Sequence, residues 1–243
     1  MAGAAAQLSG QWSLVGRTGE LRLLSGLLAD PQSKGLVLAG PAGAGKTRLA
    51  AECLRQAATM GLPTAEVCAS RAAAGLPFGA VAPLLPAGGW PEAEGNGGLD
   101  RADLLRRFAA ALSERAAAGR LVLLVDDAHL LDDASATLIY QVASSGTVLL
   151  LVTVRTGERA PDPVLALWKD GLLGRLELDG LDGQAVQELL SDALAGRVDP
   201  GTVVRIAARC RGNVLFLREL VIGALQAGSL ARDGGLWRLV GPL

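Results

Sequence analysis

The residues best placed to do chemistry are the run Gly40-Pro41-Ala42-Gly43-Ala44-Gly45-Lys46-Thr47, in which two glycines, a lysine and a threonine stand at the spacing of a phosphate-binding loop. Glycine admits the tight turns that gather backbone N–H groups, and a helix beginning at Lys46 adds its positive end, so both converge on one anion. In this pattern Lys46 reaches the β- and γ-phosphates of a triphosphate and the Thr47 hydroxyl ligates magnesium, while Gly40, Pro41, Ala42, Gly43, Ala44, Gly45 and Arg48 surround the phosphates. A glycine-rich turn from strand to helix can also exist with no ligand, and the neighbouring residues decide between the two.

Asp126 closes the apolar run Leu121–Val125, 80 residues after Lys46. That is the spacing of the second magnesium-coordinating motif of P-loop NTPases, where a carboxylate is needed because magnesium takes oxygen ligands and keeps several waters. Asp127 stands where many hydrolytic relatives place a glutamate to orient the attacking water. Being one methylene shorter, it implies slow or partner-dependent hydrolysis. Arg155 follows the apolar run Val148–Val154, where it can contact a γ-phosphate through charge-assisted hydrogen bonds or be a plain surface arginine. Lys46, Asp127 and Arg155 form the expected catalytic set, with Thr47 and Asp126 on the metal. His129 is the single histidine, so it is expected to make a polar contact beside Asp127 rather than join a metal cluster.

The elements that must position these residues alternate between strand and helix. Leu36–Ala39, Thr64–Ala69, Leu121–Val125, Val148–Val154 and Arg175–Leu178 read as strands. Between them, Leu21, Leu24 and Leu28 share a helical face ended by Asp30-Pro31. Leu49, Cys53, Ala57 and Met60 share another, closed by Gly61 and Pro63. Leu105, Phe108 and Leu112 share a third, capped by Asp100, and Ala134–Ala143 form a fourth helix. The pattern predicts a doubly wound, parallel five-stranded sheet of the P-loop NTPase class, with ligands at the strand C-termini. Residues 72–99, rich in Gly and Pro with Leu76, Phe78, Val81, Leu84, Leu85 and Trp90 as apolar anchors, read as a partly ordered surface insertion. Residues 1–10 read as a flexible tail before a core spanning 11–180. Residues 181–228 read as a small helical lid: Val186, Leu189, Leu190, Ala193 and Leu194 fit one helical face, and Asp199-Pro200 starts another helix. Asp233-Gly234 between short apolar segments signals a hairpin within 229–243.

Composition limits the functions open to this chain of 243 residues. Half of it is hydrophobic and only 3% aromatic, so the core must be aliphatic. A net charge of -1 argues against a DNA-binding surface covering the domain. The three cysteines, Cys53, Cys68 and Cys210, lie in apolar contexts that suit buried, reduced thiols. The N-terminus lacks a basic region followed by an apolar stretch, and no run reaches the length of a membrane span, so a cytoplasmic location is expected.

Taken together, five ordered segments resemble the signal-transduction ATPases with numerous domains, a branch of the AAA+ superfamily. The nearest likeness is to the nucleotide-binding module of the large ATP-binding LuxR-type transcriptional regulators. The segments are Val15-Gly16-Arg17 with Glu20, Gly40 to Leu49, Asp126-Asp127-Ala128-His129-Leu130-Leu131-Asp132, Thr153-Val154-Arg155, and Gly212-Asn213-Val214-Leu215-Phe216-Leu217. The resemblance implies ATP or ADP with magnesium as cofactors. It places Val15 and Arg17 beside the adenine and ribose, Asn213 and Leu215 among the nucleotide contacts, and Arg155 as first sensor. This chain has Val214 where the family usually has proline. The segment Gly235–Leu239 resembles the start of a winged-helix region, so residues 229–243 read as a truncated beginning of one. By the same resemblance the partners are further domains of a longer regulator or copies of the chain, with DNA bound only through a helix-turn-helix domain absent from this sequence.

The expected function is therefore an ATP-binding, slowly hydrolysing switch. A DNA-associated AAA+ loader or initiator is the alternative. A small-molecule kinase is disfavoured because the helices after Leu181 carry few arginines facing one way.

Overall fold

The computed structural model describes residues 12–85 and 101–242. The expected tail 1–10, the cap at Asp100, Trp90 and the rest of the insertion beyond Leu85 lie outside the described residues. The described chain forms α1 (Thr18–Ala29), β1 (Gly35–Gly40), α2 (Lys46–Thr59), β2 (Thr64–Cys68), α3 (Arg101–Arg115), β3 (Val122–Asp126), α4 (Asp133–Ser145), β4 (Leu149–Arg155), α5 (Asp162–Lys169), β5 (Gly174–Glu177), α6 (Gly183–Ala193), α7 (Pro200–Cys210), α8 (Val214–Gln226), β6 (Leu230–Asp233) and β7 (Leu236–Leu239). It divides into two compact units. One holds Leu23–Gly40 and Ala50–Glu177; the other holds the described residues up to Arg22, Pro41–Leu49 and the chain from Leu178 onward.

In the first unit, continuous apolar runs give strands that can only be stable with both faces covered. β1, β3 and β4 are buried along their lengths apart from the partly exposed Arg155. They form the middle of a parallel five-stranded sheet ordered β2-β3-β4-β1-β5. The edge strand β2 instead alternates exposed and buried residues. Strand β1 approaches β4 so closely at Gly35 that a Cβ there would lie 1.8 Å from Leu150 O. Leu104, Phe108 and Leu112 of α3, Leu138, Ile139 and Val142 of α4, and Val164 and Leu167 of α5 pack with the strands into one core. Each fully buried side chain of this size contributes about 1.5–3 kcal/mol. Helix α5 has no counterpart in the sequence reading.

Three expectations are corrected here. The segment after β2 is not a surface insertion as far as Leu85: Phe78, Val81, Leu84 and Leu85 join the core, and only Leu76 stands out, at 63% exposure. Asp132 helps hold it, accepting the Phe78 N–H at 3.0 Å while its carboxylate caps α4. Met60 lies beyond the last turn of α2 and is exposed, because the helix ends in a left-handed Gly61 with Leu62 N–H donating to Ala57 O at 3.0 Å. Finally, Cys53 and Cys210 are buried but Cys68 is exposed, as its place at the end of an edge strand requires.

The second unit has its own core. Val186, Leu189 and Leu190 of α6, Val203, Ile206 and Cys210 of α7, and Leu217, Val221 and Leu225 of α8 meet there. Each helix starts on a side-chain cap: Asp182 accepts from Ala185 N, Asp199 from Thr202 N, and Asn213 from Phe216 N. Strands β6 and β7 join through Gly234 and Gly235, both at positive φ, as a two-residue hairpin turn requires. The hairpin is fastened to this unit by Asp199 N–H donating to Trp237 O at 2.9 Å and by Trp237 Nε1 donating to Leu194 O at 3.0 Å.

Candidate functional site

The phosphate loop is shaped by donors that take its carbonyls. Lys46 Nζ donates to Pro41 O at 2.9 Å, Asn213 Nδ2 to Ala42 O at 2.9 Å, Val214 N–H to Gly43 O at 3.0 Å and Arg17 Nη2 to Ala44 O at 3.1 Å. A trans peptide carries its C=O and the next N–H on opposite sides, so tying a carbonyl aims the following amide away from the tether. One of these amides, Ala44 N–H, turns back to Pro41 O at 3.4 Å. The loop needs glycine twice. Gly43 has φ +75° and a Cβ there would sit 2.2 Å from Asn213 Oδ1; Gly45 has φ +94° with open space beside its Cα.

Arg17 is 7% exposed and committed to structure on three sides: Glu20 Oε1 at 2.8 Å, Asp179 O at 2.5 Å and the Ala44 carbonyl. Gly16 before it has φ +69°, and a Cβ would come within 2.4 Å of Ala185 Cβ. Val15 packs partly buried on the helical core. Leu215 is 57% exposed. Asn213 spends both side-chain atoms, the amide on the loop and the oxygen on the first turn of α8.

The acidic residues form a cluster at the ends of β3 and β4. Register pairs Val125 with Val152, which sets Asp126 opposite Thr153. Thr153 Oγ1 donates to Asp126 Oδ1 at 2.6 Å and accepts the Asp127 N–H at 2.8 Å, with both Thr153 and Asp126 buried. Asp127 adopts the left-handed region, φ 52° and ψ 42°, which aspartate tolerates better than most residues. The sequence reading assigned no role to Thr153, although a hydroxyl inside an otherwise apolar strand is a visible signal.

Arg155 Nη1 pairs with Glu158 Oε1 at 2.8 Å. His129 is buried, with Nε2 3.4 Å from Glu158 Oε2 and Nδ1 accepting the Arg155 N–H at 3.4 Å. An Nδ1 that accepts leaves the ring proton on Nε2, facing Glu158. Asp127 lies farther off, 3.9 Å from His129 Nδ1, so the histidine's nearer carboxylate partner is Glu158, which sequence reading did not single out. Beside this cluster, partial desolvation of the sulfur first and the Glu66 carboxylate next push the thiol of the otherwise exposed Cys68 up to about 11, with Asp126 and Asp127 adding to the shift.

These donors suit a magnesium nucleotide. Lys46 supplies an ammonium, and Arg48 Nε, two residues on, is a buried donor without a hydrogen-bond partner. Gly45 leaves room beside its Cα. Thr47 in one unit carries a hydroxyl oxygen and Asp126 in the other a carboxylate oxygen, the ligand type that magnesium prefers. Among the described residues no helix is long and apolar enough to cross a membrane.

Comparisons with known proteins agree on the architecture. Over 94% of its length the chain superposes on Orc1 of Aeropyrum pernix, solved in complex with DNA, with a TM-score of 0.66 at 20% identity. Hsp104 of S. cerevisiae, solved with casein, gives 0.58 at 18% identity over 93%, and a RuvB variant of Thermotoga maritima gives 0.52 at 20% over 88%. The chain spans 64% of that Orc1 chain, 40% of Hsp104 and 62% of RuvB. No curated protein matches its sequence significantly. The family model described as "AAA ATPase domain" matches residues 13–154, more than half of the sequence, and with the P-loop fold described above the chain belongs to the AAA ATPase domain family.

Proposed function

We propose that this AAA ATPase domain is the ATP-binding, slowly hydrolysing switch module of a signal-transduction ATPase that controls transcription. The observation that carries the reading is the phosphate loop whose successive carbonyls, Pro41 to Ala44, are held by Lys46, Asn213, Val214 and Arg17. A loop fixed by donors from the helices around it passes a change in its occupancy to them. In this reading Lys46 and Arg48 hold the phosphates, Thr47 and Asp126 hold magnesium, and the metal neutralises phosphate charge. Asp127, oriented by its N–H bond to Thr153, is the water-positioning carboxylate. Arg155 contacts a γ-phosphate by giving up Glu158, and hydrolysis is slow because Asp127 is one methylene shorter than the glutamate usual at this place. ATP at 100 times its Kd stabilises the bound state by about 2.7 kcal/mol, enough to shift a finely balanced switch. Partners are other domains of a longer cytoplasmic regulator or further copies of the chain.

Calorimetric ATP and ADP titration, run with mass measurement in each nucleotide state, tests this on the wild type and Lys46→Ala. Loss of at least 100-fold in ATP affinity in the variant is expected. Equal binding by both chains would overturn the assignment. A size change with ATP supports self-association. DNA binding by this chain itself, falling steeply with salt, would favour the loader or initiator reading instead.

A further inference from the structure

The turn between α7 and α8 is held before Asn213 is reached. Arg211 and Gly212 are both left-handed, at φ 48° and 74°. Leu181 N–H donates to Gly212 O at 2.9 Å, and a Cβ on Gly212 would lie 2.5 Å from Leu181 O. Backbone packs directly on backbone here, so the turn has little freedom to shift.

From this fixed turn Asn213 makes two bonds of opposite sense. Its Oδ1 accepts the Phe216 N–H at 2.9 Å and starts α8; its Nδ2 donates to Ala42 O at 2.9 Å in the phosphate loop. Swapping the amide would set donor against donor and acceptor against acceptor, so the network fixes its orientation. Beside it, Val214 N–H donates to Gly43 O at 3.0 Å, a bond that proline at this position has no hydrogen to make. The first turn of α8 and the middle of the loop are therefore one hydrogen-bonded unit.

We propose that Asn213 is a positioning residue that couples the phosphate loop to the first turn of α8, so that nucleotide in the loop stiffens that turn. Asn213 need not touch the ligand, because it sets the Ala42 peptide that the loop presents. The inference rests on the nucleotide reading of the loop. Coupling of this kind is reciprocal: whatever loosens the α8 turn weakens nucleotide binding by the same factor by which nucleotide tightens the turn.

The test exploits the two bonds separately. Asn213→Ser keeps a capping oxygen but is too short to reach Ala42 O, and Asn213→Asp keeps the cap while setting a carboxylate against that carbonyl. Both are compared with wild type and Lys46→Ala in calorimetric titrations with Mg-ATP. Amide hydrogen exchange over Val214–Leu217 is followed with and without Mg-ATP, and melting without nucleotide checks the fold. The expected result is an affinity loss of about tenfold for the serine variant and more for aspartate, with nucleotide-free melting lowered by no more than a few degrees. ATP slows exchange at Val214–Leu217 several-fold in wild type and less than twofold in the variants. Full affinity together with wild-type exchange slowing in both variants overturns the coupling. Nucleotide binding that survives Lys46→Ala, or is absent from wild type, overturns the loop reading itself and the inference with it.

Discussion

The phosphate loop and the acidic cluster at the ends of β3 and β4 are built on opposite principles. Loop carbonyls are satisfied by donors from within their unit, and of the two charged clamps, Lys46 and Arg17, the latter is buried against Glu20 and two carbonyls. The acidic cluster is tied side chain to side chain: Thr153 to Asp126, Arg155 to Glu158, Glu158 to His129. Its outer members are half-exposed, with the Arg155 side chain at 42% and Asp127 at 45%. Backbone-anchored bonds hold a shape, whereas exposed ion pairs are worth little and rearrange easily. The loop is thus the part of the molecule suited to stay, and the Arg155–Glu158 pair the part suited to change partners.

Arg17→Ala is the severest challenge to this contrast. It leaves Glu20 without its cation and removes donors from Ala44 O and Asp179 O, so a loss of about 3 kcal/mol in unfolding free energy is expected by denaturant titration. A loss below about 1 kcal/mol would show the loop to be no firmer than the acidic cluster. Thr153→Val keeps the shape of the strand but strips both bonds to the aspartates. It is expected to lower stability by about 1–2 kcal/mol and to weaken magnesium-dependent ATP binding, read by titrations with and without magnesium.

Raising pH probes the unit that holds the acidic cluster. Folded Cys53 and Cys68 both titrate near 11 against a reference of 9.0, for Cys53 because of burial and then Glu52. The folded state keeps these protons where the unfolded chain has lost them, so the extra stability is complete below about pH 9 and disappears as pH rises toward 11. Melting should fall by a few degrees across that window, mostly through buried Cys53 because solvent screens the exposed Cys68, and less in Cys53→Ala. The smallest effect belongs to Arg155→Ala, whose exposed ion pair should contribute under about 0.5 kcal/mol to folding. If that substitution instead destabilises as much as Arg17→Ala, the contrast between the two regions is wrong.

Legibility in the sequence followed the range of the forces involved. Strands β1, β3 and β4 stood out because burial on both faces demands unbroken apolar runs, and α6, α7 and α8 because burial on one face imposes a helical period. The loop itself was visible because its backbone dictates glycine at fixed positions. Contacts between distant segments were not. Nothing local says that Arg17 would meet Asp179 O or that Asn213 would meet Ala42 O. Cys68 was misread because its apolar neighbours do not reveal that β2 is an edge strand, and Phe78 to Leu85 because Gly and Pro around them masked residues that fill a core. Glu158 carried no pattern at all; only the fold brings it to Arg155 and His129.

The crowding between Gly43 and Asn213 also constrains how this sequence can drift. The two positions are 170 apart in the chain, yet a single methyl on the first would stand 2.2 Å from the side-chain oxygen of the second. A lineage cannot enlarge residue 43 while asparagine remains at 213, and shrinking 213 first removes the tether on Ala42 before anything replaces it. Shrinking 213 also leaves the second barrier at 43 in place, a φ of +75° that strains any side chain, so in a mutational library glycine should persist at 43 whatever stands at 213.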